Sequence, residues 1–263
     1  MLKLETGTFL GDIRKTFDAD GILICQTEYK DKVFEGWHSH ENHHISFILE
    51  GGNREERRHR EIQANPGSLV FYSAGELHRN LNTLHPSRNL NLEIEESFYR
   101  SYNLSDLVVN EQSLNIAEVK FTLLKIYKEC LSNDSHSTSS IHASLLSLLQ
   151  HRNTEIDETS PRWVKAIREI LNDRWNEAPT LSELSKVLQV HPVTVSKHFP
   201  KYFNCTFGEY MRKLKVEKAI EQIKSSGRPL TEVAYACGFF DQSHFIRAFK
   251  TLTSLSPKEY RKF

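Results

Sequence analysis

Residues 228–250 read RPLTEVAYACGFFDQSHFIRAFK. Leu230, Val233 and Ala234 fall on one side of a short helix, the stretch CGF interrupts it, and Phe245 and Phe249 anchor a second helix four residues apart. Gly238 stands in the interruption, where a tight turn needs a residue that tolerates positive φ. Two short helices joined by such a turn form a helix-turn-helix. Gln242, Ser243, Ile246 and Arg247 are left on the outward side of the second helix, offering donors and small groups suited to base edges or phosphates.

The same arrangement occurs about fifty residues earlier, in TLSELSKVLQVHPVTVSKHF. Thr180 and Glu183 have capping-box spacing and predict a helix start, with Leu181, Leu184, Val187 and Leu188 inward and His191-Pro192 as the stop. A second helix from about Val193 places Val195 and Phe199 in the core and Val193, Thr194, Ser196 and Lys197 outward. Between the two units, FGEYMRKLKVEKAIEQIKSS predicts about nineteen helical residues, or about 28 Å. That approaches the roughly 34 Å between successive major-groove faces of B-DNA.

Charge follows the same division. The chain has 263 residues and a formal net charge of zero, but residues 161–263 carry 18 Lys and Arg against 10 Asp and Glu, and residues 1–160 carry 16 against 24. A basic half suits phosphate, and it is also what a merely solvated surface can look like. The polar, acidic stretch RNTEIDETSP (152–161) predicts a linker.

Upstream of it, GILICQTEY, HISFILEGG and GSLVFYSAG alternate with Gly, Asn and Pro turns and predict an all-β barrel or sandwich over residues 1–100. Residues 101–153 predict a helical connector: Leu114, Ala117, Phe121, Leu124 and Leu131 line one apolar face, and Ile141, Leu145, Leu148 and Leu149 line another. These faces suit packing on the barrel or a dimer seam, and the Ser-rich SNDSHSTSS between them reads as a turn. The fold class expected is therefore α+β and multidomain: an N-terminal β-barrel, a helical connecting segment and an all-α domain of two helix-turn-helix units over 161–263.

Residues 161–263 resemble the DNA-binding domain of the AraC family of transcription regulators. The family pattern is met by Val233-Ala234, Gly238-Phe239, Asp241, Ser243, Phe245, Arg247, Phe249-Lys250, Ser256-Pro257, Tyr260 and Arg261. It is met more loosely by Leu184, Val195-Ser196-Lys197, Phe199, Phe207, Tyr210 and Ala219. The resemblance implies double-stranded DNA as partner, read through Val193, Thr194, Ser196, Lys197, Gln242, Ser243, Ile246 and Arg247, with Lys201 among the phosphate contacts. It also implies a small-molecule or metal effector, with RNA polymerase and a second copy of the chain as further partners. The sequence departs from the pattern in four places. Asn204 and Ser254 stand where glycine usually follows each recognition helix, Pro200 predicts a shortened or kinked first recognition helix, and Lys215 is the basic residue of the connecting helix.

The N-terminal part resembles the cupin-like sensory domain of many family members over about residues 30–90. Its first motif is WHSHENHH (37–44), with His44 in the place of the acidic residue, then Gly51; its second is Gly67, Ser73, Ala74, Gly75 and His78. On a strand His38 and His40 point to the same side, His44 joins them if the strand is unbroken, and His78 comes from a neighbouring strand. Such a set suits a divalent transition metal, Zn, Ni, Cu or Fe(II), or else hydrogen-bonded histidines lining a pocket. His43 is expected to point away, and His59 and His85 to lie on the surface.

No phosphate loop, G-x-S-x-G or H-E-x-x-H occurs, no glutamate is spaced to pair with the histidines, and EERRHR (55–60) reads as a charged hairpin tip. Cys25, Cys130, Cys205 and Cys237 are too scattered for a zinc ribbon or redox pair. Without an apolar run of membrane-spanning length or a signal-peptide pattern, a cytoplasmic chain is expected. The sequence thus predicts a DNA-binding regulator and not an enzyme; the alternative is a metal-dependent cupin enzyme fused to a helical domain.

Overall fold

A computed structural model gives the fold and describes residues 2–104, 114–150, 160–177 and 179–263. The linker predicted at 152–161 lies outside these described residues except for its last two positions. The chain divides into two compact units at residues 152/153. No helix among the described residues is long and apolar enough to cross a membrane.

The first unit is built on two five-stranded sheets. One has the order β1 (Leu2–Leu4), β4 (His38–His40), β9 (His78–Leu81), β6 (Asn53–Arg57), β7 (Glu61–Ala64). The other has the order β2 (Asp12–Asp18), β3 (Ile22–Tyr29), β10 (Ser87–Ile94), β5 (His43–Glu50), β8 (Leu69–Tyr72). All pairings are antiparallel except β1 with β4. The β-branched runs in β3 and β5 suit strands, and β5 is buried continuously from His44 to Leu49, as a strand covered on both faces must be. After α1 (Glu96–Ser101), helices α2 (Ile116–Ser132) and α3 (Ser137–Gln150) pack on each other. They reach the second sheet through Tyr127, whose hydroxyl donates to Gln26 Oε1, and through His142 Nε2, 2.7 Å from the Ala19 carbonyl.

Two details of these helices differ from the sequence reading. Leu131 is exposed at the end of α2, beyond the buried run that includes Val119, Phe121, Leu124 and Tyr127. The Ser-rich segment is only half turn: Asn133 takes a left-handed conformation that ends α2, and α3 already begins at Ser137. Ile141, Leu145, Leu148 and Leu149 are all buried, so the apolar seam of α3 is used within this unit.

The second unit is helical: α4 (Arg162–Asp173), α5 (Leu181–Leu188), α6 (Pro192–Phe203), α7 (Phe207–Ser225), α8 (Leu230–Ala236), α9 (Gln242–Thr253) and α10 (Pro257–Lys262). Thr180 and Glu183 form the capping box of α5, and Thr206 and Glu209 repeat it at α7. The first helix-turn-helix closes on a core of Ile167, Leu171, Leu184, Val195, Phe199, Met211 and Leu214. The second is centred on Val233, Ala234, Phe239, Phe245, Phe249, Leu255 and Tyr260, all buried.

Three expectations for this unit are corrected. Val187 is 64% exposed, because at 100° per residue it lies about 60° beyond the stripe that Leu181, Leu184 and Leu188 turn inward. Helix α5 is ended by Gln189 in the left-handed region, and His191 instead caps α6, its Nδ1 accepting from the Val193 N–H at 3.3 Å. Pro200 does not shorten α6, which continues to Phe203. Asn204 and Ser254 do take the left-handed conformation, with φ of 54° and 60°.

Gly238 adopts φ 72° in the turn between α8 and α9. A Cβ there would stand 2.6 Å from the backbone oxygen of Asn176 and close to Lys215, whose Nζ donates to the Gly238 carbonyl at 2.6 Å. Gly238→Ala is therefore expected to destabilise this unit by about 1–2 kcal/mol, read as a lowered thermal midpoint.

Candidate functional site

In the second unit the two recognition helices present the residues that the sequence singles out. On α6, Val195 and Phe199 are buried while Val193, Thr194, Ser196 and Lys197 are exposed. On α9, Phe245, Ala248 and Phe249 are buried while Ser243, Ile246 and Arg247 are exposed. Gln242 is half-buried, its Oε1 accepting from the Thr231 hydroxyl at 3.1 Å, which ties the first turn of α9 to α8. Asp241 caps α9, accepting from the His244 N–H at 2.6 Å, so the helix start is fixed where base contacts are made in such motifs. Lys201 is exposed, with its ammonium 5.4 Å from the Tyr202 ring centre.

The sequence reading missed Phe240, which is 90% exposed directly before the α9 cap. Its neighbour Phe239 is the one drawn into the core, and the doublet FF was the available signal. Lys215 is turned to the Gly238 carbonyl and the Phe239 ring and serves the packing of α7 on the second turn.

In the first unit the histidines meet between the sheets. His38 and His78 are direct cross-strand partners in β4 and β9, and His40 follows on the same face of β4. His44 does not arrive by an unbroken strand. The chain turns at Glu41–Asn42 and His44 enters on β5 of the other sheet, opposite Tyr72 of β8. All four imidazoles are nonetheless buried together: ring centres are 4.3 Å apart for His38 and His78 and 4.2 Å for His40 and His44. The candidate ligand nitrogens of His38, His40 and His78 all lie within 4.8 Å of one another. His43 faces away, 6.1 Å from the Tyr99 ring, and His59 and His85 are exposed.

Burial keeps these rings neutral, reinforced by neighbouring imidazoles at His38, His40 and His44 and by the Arg57 charge at His78. It lowers His38 to about 4, His40 to about 3 and His78 to about 4, and pushes His44 well below its ordinary value.

The reading of EERRHR as a hairpin tip is corrected for two of its residues. Alternation along β6 turns Glu55 and Arg57 inward, where Glu55 is fully buried and Arg57 nearly so; only 58–60 form the exposed tip. The Arg57 guanidinium donates to Glu55 Oε1 at 2.5 Å, to Glu76 Oε1 at 2.9 Å and to the Phe71 carbonyl at 2.6 Å. The Tyr72 hydroxyl donates to the other Glu55 oxygen, and the Tyr72 ring stacks on His44 at 4.2 Å. A carboxylate thus does stand beside the histidines, brought from β6 by topology, and it is held by Arg57 and Tyr72. Burial pushes the Glu55 carboxyl up, against the opposing pull of Arg57 and the Tyr72 hydrogen bond.

Comparison with known proteins follows this division. Residues 184–262 match the helix-turn-helix domain family, and residues 22–152 match the AraC-like ligand binding domain family. The uncharacterized HTH-type transcriptional regulator YijO of Escherichia coli is 34% identical over 98 residues, 37% of this chain and 35% of that one. The HTH-type transcriptional activator RhaR of Mannheimia succiniciproducens is 22% identical over 240 residues, 85% of this chain and 86% of that one. The match to YijO therefore spans little more than a third of that relative's length. Among solved structures, the C-terminal domain of AraT, a response regulator from Geobacillus stearothermophilus, is 29% identical and covers 40% of this chain and 88% of that one, with a TM-score of 0.38.

Proposed function

The chain belongs to the AraC family of transcription regulators, and we propose that its helical unit binds double-stranded DNA at two successive major-groove faces while its β unit receives an effector. The observation that carries this reading is the pair of recognition helices, α6 and α9, each with an apolar side buried and a polar side exposed. They are joined through the 19-residue α7, about 28 Å long against the roughly 34 Å groove repeat. Val193, Thr194, Ser196 and Lys197 would face one groove, and Gln242, Ser243, Ile246 and Arg247 the next. The surplus of basic residues over 161–263 supplies the phosphate attraction, so affinity falls steeply with salt.

Residues 161–263 are the DNA-binding domain in this reading, residues 1–100 the sensory barrel and residues 101–153 the segment between them. The effector, a small ligand or a metal ion, would occupy the pocket of His38, His40, His44 and His78. RNA polymerase and a second copy of the chain are its further partners, and the cytoplasm its place of action. The matched families favour this reading over a metal-dependent enzyme.

The test begins with selection of bound duplexes from a random DNA pool by the full chain. Against the selected sequence, Arg247→Ala is expected to weaken binding by about 1–3 kcal/mol, the range for a lost bidentate base contact, and to relax preference at one position. Lys197→Ala, if Lys197 holds a phosphate, lowers the salt slope by about one instead. Equal affinity of Arg247→Ala and the parent for that DNA overturns the assignment of Arg247. Recovery of no preferred sequence overturns the regulator reading itself.

A further inference from the structure

We propose that Phe240 is a base-reading residue whose ring enters the major groove ahead of α9 and packs on the C5-methyl group of a thymine. The proposal rests on the reading of the helical unit as a DNA-binding domain and names a contact outside the residues already assigned to the two grooves.

The two helix-turn-helix turns differ by one residue. In the first, Gln189 takes the left-handed conformation that ends α5, and Val190 alone separates it from His191, the cap of α6. In the second, Gly238 is the left-handed residue, and both Phe239 and Phe240 precede Asp241, the cap of α9. The second turn is therefore one residue longer.

An apolar residue immediately before a helix cap commonly packs on the fourth helical residue and fixes the entry of the chain. Val190 fits that description in the first unit, packing against the core that holds Val195. In the second unit the same work falls to Phe239, one position earlier. It is 3% exposed, and its ring centre lies 5.2 Å from that of Phe245. Phe240 occupies the position before the cap and is 90% exposed. A polar residue would complete the turn equally well, so the packing of the unit does not account for a phenyl group there.

Its placement points to DNA. The Asp241 carboxylate accepts from the His244 N–H and fixes the first turn of α9, with Phe240 directly ahead of it. In this kind of motif the N-terminal residues of the recognition helix reach the base edges. Ser243, Arg247 and Lys250 are exposed along the same helix, and residues 161–263 carry the basic surplus, so charge complementarity favours a polyanion over an apolar protein surface. A phenyl ring forms no ordinary hydrogen bond with a base edge. The apolar feature that B-DNA offers it is the thymine methyl, which lies in the major groove and not in the minor.

The test runs selection from random duplexes twice, with the parent full chain and with Phe240→Ala. The parent is expected to prefer thymine at one position in the groove whose reading Arg247→Ala relaxes, and Phe240→Ala to accept any base there. On the parent's selected duplex the variant should bind about tenfold more weakly, the worth of partly burying a phenyl group. Its thermal midpoint should be unchanged, because the ring already lies in water in the free protein. Exchanging that thymine for deoxyuridine removes the methyl alone. It should weaken the parent about fourfold, the worth of one buried methyl group, and leave the variant unaffected. The measurement on the parent stands whether or not the variant folds. Equal affinity of parent and variant, a parent indifferent to every such exchange, or an equal loss by both proteins overturns the contact. Arg247→Ala separates the two readings: if it still weakens binding to the selected duplex, the contact alone has failed. Recovery of no preferred sequence by the parent overturns the regulator reading and the contact with it.

Discussion

Replacing Glu55 with alanine is expected to cost the N-terminal unit about 3–5 kcal/mol, the range for removing one partner of a buried ion pair. The substitution leaves the Arg57 guanidinium, whose side chain is only 6% exposed, without its closest carboxylate. Glu76 remains but is one-third exposed, so it neutralises the buried cation incompletely. The Tyr72 hydroxyl, fully enclosed, loses its acceptor at the same time. The cost comes from the groups left behind, so a double variant that also replaces Arg57 with methionine is expected to recover a large part of it. Hydrogen exchange followed by mass spectrometry reads this unit directly, through the protection of amides in β6 and β8. If Glu55→Ala exchanges there like the parent, the network carries no such energy.

That network marks where sequence reading ends. The helix-turn-helix units were legible because their information is local. Thr180 and Glu183 announce a helix start by spacing, Phe245 and Phe249 an apolar face by period, and Gly238 a turn by its chemistry, and the structure keeps all three. His38 and His40 were legible as a same-face pair for the same reason. His44, Tyr72 and Glu55 were not legible as one site, because β5, β8 and β6 meet through sheet order. The EERRHR stretch shows the difficulty most plainly: its polarity suggests solvent, while strand alternation turns two of its charged residues inward to each other. Val187 failed in the opposite direction. An apolar residue near the edge of a helical stripe cannot be placed until the width of the partner surface is known.

Acidification should separate the metal-free N-terminal unit from its native state well above the pH at which carboxylates titrate. In the folded chain His38, His40 and His78 are lowered to about 4, about 3 and about 4, first by burial and then, for His38 and His40, by repulsion from neighbouring imidazoles. In the unfolded chain each returns to about 6.5. A depressed folded value means that the unfolded state binds protons the folded state refuses, so stability is full above about 6.5 and falls as pH drops towards about 4. One pH unit below 6.5 costs about 1.4 kcal/mol for each such group, and at pH 5.5 the three together cost about 4 kcal/mol. His44, lowered further still, acts in the same direction. Against a total stability of about 5–15 kcal/mol this is a large fraction. Comparing hydrogen-exchange protection of β4, β5 and β9 at pH 7.5 and 5.5, in chelator-treated protein, measures it. A flat response over that window contradicts the burial of neutral imidazoles. Replacing His38 and His40 with glutamine should flatten the response by the share of those two groups.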